Sequence, residues 1–395
     1  MPERAHTIKN CVENPLFPVI GQLRLMNRLC QIVKKGLIGS AYLFAGPRGA
    51  GKMAVALNFA AALMCEHPIS GAACGKCDSC QKMKVLEHPN LIFLYAVPRN
   101  AQKDDKEAAE PLGTLTETQF QSVEDAIKRF RENVYQGIHI SGANNIRIPY
   151  IRKLKRDLGL VRAETGYRVV LVYLPELMNT ESENAMLKIL EEPPEQTVFV
   201  LTTERASELL PTTRSRCQIY RFNGVAEGDM MRWLDSQPVS SENKKIIARL
   251  SGGNVRLAME LMASDTPLAD QTFVEFWRQI AGGQFIELSQ TVDAWSRLAR
   301  ENKDALFLKL RMMILWLRDA QILALDPESP DISNIQYRTT LVRFAGFLAA
   351  FPYHEAILKI ETTIKGISQY VHTPALLTHL FVEIYALIKV YGVKK

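Results

Sequence analysis

Hydrophobic positions follow two regimes along the chain. Up to about Phe222, short apolar runs of strand length alternate with segments of helical period; beyond it only the helical period remains. Residues 40–44, 91–96, 168–173 and 197–202 are short, apolar and partly β-branched, the pattern of strands buried in a parallel sheet. A glycine-rich turn follows the first of them, and residues 53–64 then read as a helix, which is how an α/β nucleotide-binding unit begins. Between about Val97 and Asn145 the alternation breaks. A charged, proline-containing stretch at 103–111 is followed by an isolated amphipathic helix carrying Phe120, Val123, Ile127, Phe130 and Val134 at helical spacing. This segment reads as an insertion, and nothing in it suggests chemistry.

The second regime predicts helices only, punctuated by Ser251-Gly252-Gly253-Asn254 and by a proline-containing stretch at 326–330. It divides into a small helical domain at 224–265 and a larger all-helical one at 266–395, after an α/β domain at 1–223. At 395 residues, 47% hydrophobic and 23% charged, the chain is too long for one core and too apolar for disorder. The longest uninterrupted apolar stretches, 59–65 and 91–97, fall short of the roughly 18 residues a bilayer requires, so no membrane-spanning helix is expected. Residues 1–10 are polar and lack the apolar segment of a secretory signal, so a cytoplasmic chain with reduced thiols is expected. Net charge is +6, from 48 basic against 42 acidic residues, which permits nucleic-acid contact without requiring it. Basic residues crowd one predicted helix between Arg147 and Arg162, with Arg152, Lys153, Lys155 and Arg156, and read as a solvated face.

Gly46-Pro47-Arg48-Gly49-Ala50-Gly51-Lys52 fits a phosphate-binding loop: Gly46, Gly49 and Gly51 let backbone amides close around phosphate oxygens, and Lys52 meets the outer phosphates. Such a loop ordinarily continues with Ser or Thr, whose hydroxyl ligates Mg²⁺, but the next residue here is Met53, a poor ligand for a hard cation. The acidic pair expected at the end of a later strand is missing too, since residues 169–173 run into Leu174-Pro175-Glu176. Glu176 lies two residues too far along. With no seat for Mg²⁺, ATP or ADP would be held without proper metal ligation and hydrolysis by this chain is expected to be lost.

Cys65, Cys74, Cys77 and Cys80 form a Cys-x2-Cys-x2-Cys core with a fourth cysteine nearby, suited to wrapping one structural Zn²⁺ and favoured over a redox disulfide. Cys11, Cys30 and Cys217 read as packing residues. Arg216, in Leu210-Pro211-Thr212-Thr213-Arg214-Ser215-Arg216-Cys217, has the planar fork that can stabilise phosphate charge on a neighbouring subunit.

Together these motifs resemble the bacterial replicative clamp-loader subunits of the AAA+ superfamily, and among them the delta-prime subunits of DNA polymerase III. The resemblance runs from about Val19 to Met262. It rests on the cysteine array, on Asn184-Ala185-Met186-Leu187-Lys188-Ile189-Leu190-Glu191-Glu192-Pro193-Pro194 and on Ser215-Arg216-Cys217. It implies a RecA-like AAA+ P-loop domain, a small helical lid and an all-α collar through which five subunits form an open ring. The partners it implies are gamma/tau motor subunits and delta in a hetero-pentamer, with the sliding clamp and primed DNA reached through the complex, and no membrane. It further implies that Arg216 completes the ATP site of an adjacent motor subunit and that Arg256 is the lid arginine that senses nucleotide. Motor subunits of the family keep the hydroxyl after the loop lysine and an Asp-Glu pair, which Met53, Tyr173 and Leu174 replace here. The competing readings are an ATP-hydrolysing gamma/tau-type motor and a zinc-containing DNA-binding module.

Overall fold

A computed structural model describes residues 15–100, 111–160, 164, 166–263, 271–348, 350–369 and 371–392. Cys11, Arg162 and most of the charged start of the insertion, residues 101–110, lie outside them. The chain divides into two compact units, one running to Met230 and taking in Gly253–Leu257, the other made of Met231–Gly252 and the chain from Ala258 onward.

The first unit is built on five parallel strands: β1 (Ala41–Ala45), β2 (Leu91–Leu94), β3 (Arg168–Tyr173), β4 (Thr197–Thr203) and β5 (Gln218–Arg221), in the order β2-β3-β4-β1-β5. Parallel strands need crossovers, and the helices that make them cover both faces. That is why β1, β3 and β4 read as unbroken apolar runs: Leu43 pairs with Leu201, and Leu171 with Val200, all fully buried. The sequence pattern did not signal β5. It is an edge strand in which only Tyr220 is buried, so it lacks the apolar run that marks its neighbours.

Helix α1 (Leu23–Lys35) precedes β1, and α2 (Lys52–Met64) follows the glycine-rich loop and is buried along its whole length. Helix α3 (Asp78–Lys84) closes the cysteine segment. In the insertion, α4 (Glu117–Glu132) begins with a reciprocal cap between Thr116 and Gln119 and buries Val123, Ala126 and Phe130, whereas Phe120 is 45% exposed. Helix α5 (Ile148–Gly159) buries Ile151, Leu154 and Leu158 and leaves Arg152, Lys155 and Arg156 outward, the solvated basic face expected. Its C-terminal carbonyls are closed by Arg168, which donates to Leu158 O (3.0 Å), Leu160 O (3.0 Å) and Asp157 O (3.2 Å). Helix α6 (Thr180–Glu191) lies before β4 and the short α7 (Pro211–Ser215) before β5. A phosphate loop after β1 in a sheet of this order, with an all-helical region to follow, is the RecA-like layout of an AAA+ protein.

The second unit is all-helical, with Trp277, Trp316 and Phe381 in its core. Buried Asp319 there accepts from the amides of Ser333 (2.9 Å) and Asn334 (2.9 Å) and from Asn334 Nδ2 (2.7 Å), tying a loop to the longest helix, Lys303–Leu325. Among the described residues one helix, Thr373–Tyr391, is long and apolar enough by length and composition alone to cross a membrane. Its apolar residues are interrupted by Thr378, His379, Glu383 and Lys389, so it forms no long continuous run, and it sets Leu377, Phe381 and Ile384 into the helical core.

Candidate functional site

The loop after β1 closes tightly because it has no side chains where neighbours approach. A Cβ on Gly46 would sit 2.2 Å from Phe222 O, and one on Gly49 1.8 Å from Asn254 Oδ1. Gly49 and Gly51 also take φ of 71° and 86°, the left-handed region that favours glycine. The Val255 amide donates to Gly49 O (3.1 Å), which brings Arg256 to the same pocket as Arg48 and Lys52. Thus Gly49, Gly51, Lys52 and Arg256, singled out in the sequence, line one pocket, whereas Gly46 does not line it and meets it only through its carbonyl on Lys52 Nζ.

Lys52 is 7% exposed, and its Nζ donates to Gly46 O and Pro47 O, each at 2.7 Å. Burial lowers its pKa to about 8, although Glu204 and Glu176 oppose the shift. Between about pH 8 and its ordinary value of 10.5, the unfolded chain therefore binds more protons at this position than the folded one, and stability rises with pH. The penalty for the buried ammonium is present in full below pH 8 and amounts to at most about 3 kcal/mol. Denaturant unfolding at about pH 7.5 and pH 9.5 is expected to show about 2 kcal/mol of this increment in the wild type and none of it in Lys52→Met.

The two positions that should seat a metal are otherwise engaged. Met53 is buried, and the Thr202 hydroxyl points at its Sδ from 3.2 Å. Tyr173 ends β3 under the insertion, its hydroxyl so close to Gly137 that a Cβ there would lie 2.6 Å away; burial foremost raises its pKa, with Glu204 adding to the effect. Leu174 takes a left-handed φ of 53° and starts a tight turn, Pro175–Leu177. That turn carries Glu176 to the end of β4, where its Oε1 accepts from the amides of Glu204 (2.8 Å) and Arg205 (3.3 Å).

Three pocket residues escaped the sequence reading. Tyr135 and Gly137 come from the end of the insertion, which therefore packs onto the phosphate loop: the Tyr135 hydroxyl accepts from the Ile20 amide (2.8 Å), and the ring lies against Gly51. No local signal marks such a contact. Glu204, directly after β4, also lines the pocket, and its place at the carboxyl end of a parallel strand was a signal that could have found it.

The cysteine array closes on itself. Sγ distances are 3.6 Å for Cys65–Cys80, 3.8 Å for Cys65–Cys77 and 3.9 Å for Cys74–Cys80, and all four sulfurs lie within 4.8 Å of one another. Four thiolates about 2.3 Å from one tetrahedral Zn²⁺ stand about 3.8 Å apart, so the residues fit a metal ion such as zinc. Amides of Cys77 (3.3 Å) and Lys76 (3.5 Å) point at Cys74 Sγ; the Lys76 contact foremost lowers its pKa to about 6, while burial raises those of Cys65 and Cys80. Elsewhere, Cys217 is a free, partly buried thiol and Cys30 is buried in the core of the first unit, the places of packing residues.

Arg216 lies at the C-terminal end of α7 and does not line this pocket. Its Nη2 pairs with Glu191, and its Nη1 donates to Thr212 O at 2.9 Å.

The family described as "DNA polymerase III, delta subunit" matches residues 21–226, the stretch that carries the loop, the cysteines and Arg216. The chain belongs to this clamp-loader family. The DNA polymerase III subunit delta' of Pseudomonas aeruginosa is 29% identical over 260 residues, a match spanning 65% of each chain. Subunit tau of Bacillus subtilis is 26% identical over 250 residues, 62% of this chain but 36% of its own length. A gamma subunit-related protein of Thermotoga maritima aligns over 93% of this chain and 99% of its own at 14% identity, with a TM-score of 0.39. Family membership therefore rests on the sheet-bearing unit.

Proposed function

We propose that this chain is the delta-prime-like, non-hydrolysing subunit of a DNA polymerase III clamp loader. It joins gamma/tau-type motor subunits and delta in a hetero-pentamer that opens the sliding clamp and loads it onto primed DNA during replication. The α/β domain at 1–223 bears the nucleotide pocket and the zinc module, the lid spans 224–265, and the collar at 266–395 holds the ring together.

One observation carries this reading: the Mg²⁺ positions hold Met53, Tyr173 and Leu174, while Arg216 stands at the surface away from its own pocket. In the pocket, backbone amides after Gly46, together with Lys52, Arg48 and Arg256, supply positive charge to bind phosphates, while the position after Lys52 offers a metal the Met53 thioether in place of a hydroxyl. Nucleotide there would have a structural role. Arg216 performs its work in trans, its guanidinium meeting charge that develops on a neighbour's transferring phosphate. Zn²⁺ on Cys65, Cys74, Cys77 and Cys80 acts structurally, because a closed shell of four thiolates leaves no position for substrate.

The isolated chain should show no Mg²⁺-dependent ATP turnover above background in a steady-state assay, and Lys52→Ala should leave turnover by the reconstituted complex within about twofold of wild type. Robust turnover by the lone chain, abolished by Lys52→Ala, would make the chain a motor subunit with Glu176 or another carboxylate meeting the metal.

A further inference from the structure

Helix α6 grips the short helix that carries Arg216 at both ends. Near the start of α6, Glu183 is 5% exposed, and its Oε1 accepts from the Leu210 amide (2.8 Å) and the Thr213 hydroxyl (2.7 Å). A carboxylate set on the first turn of α7 complements the positive end of that helix and satisfies backbone that would otherwise be left bare. Eight residues later, about 12 Å along α6, Glu191 pairs with Arg216 Nη2. The two contacts differ in kind. That of Glu183 is desolvated and anchors the backbone. Those of Glu191 and Arg216 are made by side chains 47% and 32% exposed, a setting in which an ion pair is weak and readily exchanged.

Resting on the reading of Arg216 as a donor in trans, we propose that Glu191 is a positioning residue that parks the guanidinium on its own subunit until a neighbour's nucleotide phosphate displaces it. Glu183 keeps α7 still, so only the arginine side chain moves. The chemistry suits an exchange of partners. A guanidinium fork that accommodates a carboxylate also accommodates phosphate, and phosphate brings more charge and more acceptor oxygens. The Thr212 carbonyl holds Nη1 while Nη2 carries the pair with Glu191, so the side chain stays oriented as it changes partner.

Parking sets a cost that the transition state must overcome. Glu191→Gln keeps the shape of the side chain and removes the competing charge, so Arg216 reaches phosphate without first leaving an ion pair. In the reconstituted complex with its ATPase subunits, E191Q should raise kcat by up to about fivefold, the range set by an exposed ion pair, with KM for ATP unchanged. The difference from wild type should close as ionic strength rises, because salt weakens the parked pair as well. A role of Glu191 in folding alone would produce neither the rise nor its salt dependence. On the free chain, NMR should show the Arg216 guanidinium rotating more slowly in wild type than in E191Q. Unchanged or lowered turnover in E191Q, with R216A still collapsing it, would overturn the parking of Arg216 and leave the donor reading standing, as would a freely rotating wild-type guanidinium. An R216A complex as active as wild type would remove the donor reading and this proposal with it.

Discussion

Arg216→Ala is expected to lower ATP turnover of the reconstituted clamp loader by about 10³- to 10⁵-fold, the contribution of an arginine that meets a transferring phosphate. The loss should fall on kcat more than on KM, because the guanidinium is needed where charge develops and not where substrate docks. Arg216→Lys should recover little, since an ammonium keeps the charge but not the planar fork. The lone chain should fold normally in either variant. Arg216 is a partly exposed side chain whose partners, Glu191 and the Thr212 carbonyl, lie near the surface, and exposed pairs of this kind contribute about 1 kcal/mol or less. Unaltered turnover in the Arg216→Ala complex, measured at saturating ATP and primed DNA, would sink the donor role.

Loss of the metal from the cysteine module should have the largest effect on stability. One Zn²⁺ per chain is expected by elemental analysis, and none in Cys80→Ser, whose sulfur is fully buried between those of Cys65 and Cys74. Structural zinc sites in small peptides contribute about 10–16 kcal/mol. Here the module is attached to a sheet with its own core, so the loss should be local and amount to several kcal/mol. Hydrogen exchange is the direct measurement: protection of Asp78–Lys84 and of the last turn of Lys52–Met64 should fall in Cys80→Ser and in chelator-treated protein, while the strands stay protected. The pH dependence has a definite sign. Metal-bound cysteines are thiolates, so acid competes for them and zinc leaves as pH falls. Cys74, whose pKa is already drawn down to about 6 by backbone amides, is the ligand that needs least help from the metal to stay ionised. Metal-free protein with full protection of Asp78–Lys84 would refute the structural role.

The chemistry legible in the sequence was of two kinds, both local. A phosphate loop is seven consecutive residues and the cysteine array spans sixteen, Cys65 to Cys80, so spacing alone brought the right groups together. The missing Mg²⁺ ligands were legible for the same reason: Met53 adjoins Lys52 in the chain, and Tyr173 and Leu174 stand at the end of a strand recognisable by its apolar run. The central strands were visible because burial on both faces demands continuous hydrophobicity. The edge strand Gln218–Arg221 was not, because burial there asks for one residue in four.

Everything that depends on chain closure waited for the fold. Tyr135 reaches Ile20 across 115 residues, and nothing near either residue announces it. Glu176 counted as a spare carboxylate until the left-handed turn at Leu174 carried it to the amides of Glu204 and Arg205. Glu191 stood in the sequence only as part of the Asn184–Pro194 motif and Glu183 just ahead of it, and only packing against Pro211–Ser215 made Glu183 an anchor and Glu191 a partner for Arg216. By itself, then, the sequence determined which reactive groups exist and which are missing, since neighbours along a chain stay neighbours in any fold. The tertiary structure alone decided which distant carboxylates, phenols and guanidinium groups meet, because those contacts form only when burial of the sheet and its helices offsets the entropy of closing long loops.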